Sequence, residues 1–183
     1  IDSIDTEVDI DGFEIEGYAV NGRIDRIDCR GDRIELIDYK TSDSPKDPIK
    51  AHLVKLSQKA PPQHLPKEAF FEYNGKTFRW VNLQLPLYAL AIKSTNKGNS
   101  GVAYFNLGKT LEKSLIQRWD GLDELHLDSA HACAAAVIKK IQSGHFWPPN
   151  EAVLEAHDDF AEFFPDGIHK SVDSDAFKNY QFA

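Results

Sequence analysis

The sequence predicts a mixed α/β (α+β) fold, with a central mixed β-sheet that begins as an antiparallel meander and is flanked by helices. Three observations indicate this order. Tight-turn dipeptides divide the first forty residues, a proline-rich stretch follows, and two helical patterns occupy the second half. With 183 residues, of which 42% are hydrophobic and 27% charged, the chain is predicted to form one domain with its own core.

The N-terminal third of the chain predicts a meander of short strands. Its turns are predicted at Asp11-Gly12, Asn21-Gly22 and Gly31-Asp32, because such dipeptides favour two-residue hairpin loops. The predicted strands cover residues 6–10, 13–20, 23–30 and 33–40.

The turn at Gly31-Asp32 sets the register of the last two strands. If Arg30 faces Arg33, Asp25 lies directly opposite Asp38 and both carboxylates point to one face. The same face carries an apolar stripe that should be buried. Its members are Ile27, Cys29, Ile34 and Leu36.

Facing carboxylates destabilise a sheet unless a positive charge lies between them. Lys40 shares their face, because residues two apart in a strand point the same way. One ammonium only partly balances two carboxylates, whereas a divalent cation balances both. Since carboxylate oxygens are hard ligands, Asp25 and Asp38 predict a Mg²⁺ or Mn²⁺ site with Lys40 beside it.

Residues 41–68 hold five prolines and five lysines and predict a loop beside this site. A short helix is predicted within it, from Pro48 to Lys59. A solvated linker is the ordinary interpretation of the lysines, and contact with a phosphate backbone is the alternative. Asn74-Gly75 then predicts another hairpin, whose aromatic side chains are best explained as core.

A helix is predicted from about Leu83 to just before Gly98, and it must be buried because it is apolar nearly all round. Gln84 and Tyr88 are its polar exceptions, and their i,i+4 spacing places them on one face. A buried amide costs free energy unless it is hydrogen-bonded, so Gln84 is predicted to have a specific partner.

The remainder of the chain predicts a buried strand at 101–107, a further strand within 110–119 and a helix from about 122 to 143. The tail after this helix is expected to wrap the core as short turns. The domain is therefore predicted to span 1–183, with its core at about 13–107 and the C-terminal helix and wrapping tail at 122–183.

Composition excludes several classes of protein. Two cysteines, Cys29 and Cys133, predict free thiols and cannot supply a four-cysteine iron–sulfur cluster. No apolar run reaches the length of a membrane span, so we expect a cytoplasmic protein without a membrane partner. The net charge of −8 comes from residues 1–45, which hold 13 acids and five bases, and disfavours a simple nucleic-acid binder.

Three segments together resemble the RecB-like exonuclease branch of the PD-(D/E)XK nuclease superfamily. They are Gly22-Arg23-Ile24-Asp25-Arg26-Ile27-Asp28, Ile37-Asp38-Tyr39-Lys40-Thr41 and Gln84-Leu85-Pro86-Leu87-Tyr88. They match in order and spacing. The resemblance implies a restriction-endonuclease-like core that hydrolyses DNA, as the exonuclease module of a helicase–nuclease recombination-repair system.

The resemblance also implies roles for individual residues. Asp25 and Asp38 would ligate Mg²⁺ or Mn²⁺, with the backbone carbonyl of Tyr39 as a further ligand. Lys40 would position or polarise the attacking water. Gln84 and Tyr88 match the Gln-x-x-x-Tyr motif of the family, which holds the active-site strand or the DNA. DNA and a helicase subunit or domain are the implied partners.

One departure from the family pattern leaves alternatives open. Members of this branch usually place a helix before the sheet, and it supplies a His or Glu to the metal. Here no helical pattern precedes the strands, and every His follows Lys40. Either that helix lies upstream of this sequence, or Glu7, Glu14 or Glu16 substitutes, or the domain binds DNA ends or scaffolds a repair complex without cutting. A structural Ca²⁺ module is a third class, which the neighbouring ammonium disfavours.

Overall fold

The computed structural model describes residues 1–42, 44–56, 65–95, 100–145 and 161–163. The strands are β1 (Ser3–Ile10), β2 (Glu14–Ile15), β3 (Tyr18–Ala19), β4 (Gly22–Arg30), β5 (Arg33–Thr41), β6 (Leu53–Lys55), β7 (Phe70–Tyr73), β8 (Lys76–Trp80), β9 (Ser100–Leu107) and β10 (Leu115–Arg118). The helices are α1 (Pro48–His52), α2 (Gln84–Ser94) and α3 (Glu124–Gln142). Short 3₁₀ turns lie at Lys67–Ala69, Leu111–Lys113 and Ala161–Phe163.

The central sheet has the strand order β1-β4-β5-β9-β10. Its neighbours are antiparallel except for β5 and β9, which are parallel because the chain crosses over between them through α2. Helix α2 packs on β5 and β9 and against α3, while β6, β8 and β7 form a small second sheet. The predicted mixed sheet flanked by helices is thus confirmed, and it is consistent with a restriction-endonuclease-like fold.

The hairpin of β4 and β5 has the predicted register. Arg30 faces Arg33, and pairing continues to Arg26 and Ile37. One side, here called the apolar face, carries Ile27, Cys29, Ile34 and Leu36, followed by Asp38 and Lys40. Most of it lies in the core, with Leu36 fully buried. The other side, the charged face, carries Arg26, Asp28, Arg30, Arg33 and Glu35.

The strand predicted at 13–20 is wrong. Residues 14–19 instead fold back on themselves as the β2–β3 hairpin, around a turn in which Glu16 and Gly17 both have positive φ. β4 therefore pairs with β1 rather than with this segment. Gly22 makes no hairpin turn. It begins β4, and a Cβ there would lie 3.3 Å from the Ile10 side chain and 3.5 Å from the Tyr88 ring.

The second half of the chain follows the predictions more closely. Both long helices and the strands within 101–107 and 110–119 are confirmed, as is the hairpin at Asn74-Gly75. The helix predicted to reach Lys59 is wrong, because α1 ends at His52 and the chain continues as β6. Of the tail beyond residue 145, only 161–163 is described, so the wrapping arrangement lies outside the described residues.

The described part of the chain also bears on the cysteines and on membrane-spanning helices. Cys29 and Cys133 are free thiols, and Cys133 is buried in α3. None of the helices that the structure describes is long and apolar enough to cross a bilayer.

Candidate metal and active site

Asp38 lies near the end of β5 on the apolar face, and only 3% of the residue is exposed. Its Oδ2 atom is buried and receives no hydrogen bond of good geometry, although Lys40 Nζ lies 2.7 Å from it. Burial raises the pKa of this carboxyl, and the negative charge of Asp25 adds to the rise, while Lys40 and Gln84 oppose it. A buried carboxylate oxygen with a spare lone pair is therefore available to a further cation.

Asp25 stands where the regular pairing of β4 and β5 ends. Its Oδ2 accepts a hydrogen bond from the Tyr39 backbone N–H at 2.8 Å, which ties the carboxylate to the residue after Asp38. Ile24 and Ile27, on either side of it, both lie in the core although they are three residues apart. On β1, the residue opposite Asp25 is Glu7, which has a φ of 55°, and the ladder omits this one pair while keeping the same register on both sides.

Lys40 is the cationic group of the site. Its Nζ lies between the carboxylate of Asp38 and the amide of Gln84, whose Oε1 accepts a hydrogen bond from it at 3.2 Å. The ammonium also lies 4.9 Å from the centre of the Tyr104 ring, a cation–π contact. Three neighbours thus hold one ammonium beside the buried Oδ2 of Asp38.

Gln84 and Tyr88 link α2 to both strands of the site. Gln84 Nε2 donates to the Tyr88 hydroxyl at 3.2 Å, and that hydroxyl donates to the Arg23 carbonyl at 2.7 Å. The predicted i,i+4 stacking is observed, and the specific partner expected for the Gln84 amide is Lys40. The two side chains connect β4, two residues before Asp25, with the ammonium on β5.

His52 was not predicted to contribute to the site, yet it holds the start of α2. The residue is fully buried, and its Nε2 accepts a hydrogen bond from the Leu85 N–H at 3.3 Å. Its Nδ1 lies 2.7 Å from the Pro48 carbonyl, so the neutral ring donates there. Burial lowers its pKa to about 4. The sequence signal was a histidine four residues after the helix-starting Pro48.

The acids suggested as substitutes for an upstream ligand have other partners or are exposed. Glu7 pairs with Arg23, and Glu16 pairs with Lys139 on α3 at 3.1 Å. Glu14 is exposed in β2. In the described ranges, no group of three or more Asp, Glu, His or Cys side chains is arranged to hold a metal.

The donor set at the strand ends nevertheless fits a hard divalent cation. It offers two carboxylates and a neighbouring backbone carbonyl, all oxygen ligands of the kind that Mg²⁺ and Mn²⁺ prefer. The buried Oδ2 of Asp38 supports this fit, because its ion pair with Lys40 is not an aligned hydrogen bond and a metal bond would add a partner to it.

Comparison with known protein families agrees with the fold. The PD-(D/E)XK nuclease superfamily model matches residues 2–153, which is most of the chain. The chain belongs to this superfamily, and membership suggests nuclease activity. No curated protein gives a significant match, and no solved structure does either.

Proposed function

We propose that this chain is a Mg²⁺- or Mn²⁺-dependent deoxyribonuclease of the RecB-like kind, acting as the exonuclease module of a helicase–nuclease repair system. The observation that carries the proposal is the buried Oδ2 of Asp38, which lacks an aligned hydrogen bond although Lys40 and Gln84 are held beside it. The three sequence motifs of that branch, now assembled at one point of the fold, support the finer assignment.

Asp25, Asp38 and the Tyr39 carbonyl are the proposed metal ligands. A bound divalent cation would neutralise charge on the scissile phosphate and lower the pKa of a bound water. The side chains around the metal ligands position a positive charge beside them. Lys40 keeps one ammonium next to the ligands, where it can orient a water or stabilise an anionic phosphate oxygen. Gln84 holds that ammonium in place, and Tyr88 anchors Gln84 to β4.

The test is cleavage of end-labelled linear DNA, single- and double-stranded, in Mg²⁺, Mn²⁺ or EDTA. The proposal expects metal-dependent cleavage that falls by about 10²–10³-fold in Lys40→Ala, the usual loss when one charge-stabilising group is removed. Lys93→Ala is the matched control, because Lys93 also ends in an ion pair but lies at the far end of α2. Shortening of the DNA from one end would identify an exonuclease. Cleavage that is equally fast in EDTA would refute the proposed role of the metal.

A second candidate is a non-catalytic domain of the same superfamily that binds DNA ends. The observation that favours it is the count of two carboxylates, with no third Asp, Glu, His or Cys side chain grouped with them among the described residues. Tight DNA binding without cleavage in either metal, unchanged when the sequence is extended upstream, would select this candidate over the nuclease.

A further inference from the structure

A groove of about 550 Å³ opens next to the carboxylate site and shares Lys40 with it. Its walls come from the segment after β5, from α1, and from the residues that precede α2. Besides Lys40, the residues that matter are Lys46, Asp47, Lys50, Asn82 and Tyr104. A strand of substrate that reacts at Asp38 therefore has this groove as an adjoining path.

The charge of the groove is positive. Lys46 and Lys50 are exposed, and neither ammonium forms an ion pair within the described ranges. The one carboxylate of the lining, Asp47, is already engaged. Its Oδ1 accepts hydrogen bonds from the N–H groups of Ile49 at 2.9 Å and Lys50 at 3.2 Å, as the N-cap of α1.

The wall that carries these lysines is fixed from inside the protein. Asn106 is fully buried, and its Oδ1 accepts a hydrogen bond from the Lys46 N–H at 2.7 Å. Its Nδ2 donates to the Lys46 carbonyl at 3.2 Å and to Gln117 at 3.0 Å. Because a buried side-chain amide binds both the N–H and the carbonyl of Lys46, this segment is held in a defined position against the core and is not a solvated linker.

We propose that this groove binds the sugar–phosphate backbone of a DNA strand beside the scissile phosphate, with Lys46 and Lys50 each neutralising one phosphate. The proposal rests on the proposed nuclease function for its choice of ligand. Residues 1–45 are strongly acidic and repel a polyanion, so a local positive wall is needed for the strand to approach Asp25 and Asp38. Phosphate contacts of this kind position a strand without reading its sequence.

The test is DNA binding in EDTA, where no metal-dependent cleavage interferes, followed over a range of salt concentrations. A fluorescently labelled oligonucleotide is titrated, single-stranded and duplex, with wild type and with Lys46→Ala/Lys50→Ala. Loss of two phosphate contacts should reduce the slope of log K against log salt by about 1.4 for single strands and about 1.8 for duplex. Near physiological salt, affinity should fall about tenfold or more.

Two variants serve as controls for net charge. Lys76→Ala/Lys139→Ala removes two lysines outside the groove, on β8 and α3, and should leave the slope at the wild-type value. Lys46→Arg/Lys50→Arg keeps both charges and should retain most of the affinity. Equal reductions of the slope by the two double-alanine variants would overturn the proposal that the groove binds DNA.

Cleavage by the same variants separates this proposal from the nuclease assignment. A selective loss of binding in Lys46→Ala/Lys50→Ala supports the groove even if wild type never cuts DNA, and that result would refute the nuclease alone. Wild-type cleavage with unaltered binding by Lys46→Ala/Lys50→Ala would refute the groove and leave the nuclease standing.

Discussion

The carboxylates on the two faces of the β4–β5 hairpin differ in their hydrogen-bond partners. On the charged face, Asp28 is 8% exposed, and both its oxygens accept from Arg26, with the Nη2 bond at 2.9 Å. Glu35, which faces Asp28 across the ladder, likewise accepts from two nitrogens of Arg118, Nε and Nη2. On the apolar face, Asp38 is more deeply buried, and one of its oxygens lacks an aligned bond.

Under the proposed function, the difference separates carboxylates that stabilise the fold from those that would bind the metal. Bidentate arginine pairing is the usual solution for a buried acid, and this hairpin uses it twice on one face. On the other face, Asp38 is paired with one lysine whose ammonium is also bound to Gln84, and nearby Asp25 accepts a hydrogen bond from the Tyr39 N–H. Such under-satisfied acids cost folding free energy, which is expected of a site that completes its ligands on binding a cation.

The largest effect should come from the acids of the apolar face. Asp25→Asn and Asp38→Asn should each lower DNA cleavage by about three orders of magnitude, since the amide cannot replace a metal-ligating carboxylate. Asp28→Asn, corrected for its folded fraction, should cut at nearly the wild-type rate. Single-turnover cleavage rates compare the three, and a comparable loss in all three would remove the distinction between the faces.

His52 should produce the next largest effect, through the pH dependence of stability. Because burial holds its pKa at about 4, against an ordinary value of 6.5, the folded state resists the proton that the unfolded chain accepts. Its contribution is complete above pH 6.5 and is lost as the pH falls toward 4, by about 3 kcal/mol.

Urea unfolding of wild type and His52→Gln from pH 7.5 to 4 measures this difference. Glutamine keeps a donor for Pro48 and an acceptor for Leu85 but does not titrate. The difference curve should therefore change between pH 6.5 and 4, and a flat curve would show that His52 is accessible to protons in the folded state.

Removing the arginine that pairs with Asp28 on the charged face should lower the free energy of unfolding by a smaller amount. Arg26→Gln leaves Asp28 unpaired opposite Glu35, and the loss lies between that of a surface pair and a buried pair, about 2 kcal/mol. Chemical denaturation at neutral pH gives this value. A decrease in the free energy of unfolding below a few tenths of a kcal/mol would indicate that the ion pairs of the charged face do not stabilise the fold.

The smallest effect is expected where α2 is tied to β4. Tyr88→Phe keeps the ring and removes the hydroxyl that donates to the Arg23 carbonyl, so the free energy of unfolding should fall by about 1 kcal/mol. Denaturation curves of the two proteins measure it. An unchanged stability would mean that another group satisfies the Arg23 carbonyl.

Local signals predicted the part of the site that lies on one hairpin and one helix. The Gly31-Asp32 turn sets the register of β4 and β5, and the spacing of Gln84 and Tyr88 stacks them on α2, because both relations depend on near neighbours alone. The apolar stripe followed from alternation in the same way.

Relations between distant segments could not be predicted in this way. The pairing of β1 with β4 passes over the β2–β3 hairpin, so the Asn21-Gly22 turn signal pointed to the wrong neighbour. Gly22 lies beside the Ile10 side chain of β1 and the ring of Tyr88, which is 66 residues later. His52 and Asn106 act on the backbone of other segments, which no periodic pattern reveals.

The most direct test of the contrast between the faces is thermal unfolding of wild type, Asp38→Asn and Asp28→Asn, with EDTA or with Mn²⁺. Wild type should be stabilised by the metal, by about 2.7 kcal/mol at a concentration of 100 Kd. Asp28→Asn should melt lower in EDTA but keep that shift, whereas Asp38→Asn should melt no lower in EDTA and lose the shift. The opposite pattern, with Asp38→Asn destabilised and still responsive to Mn²⁺, would contradict the account.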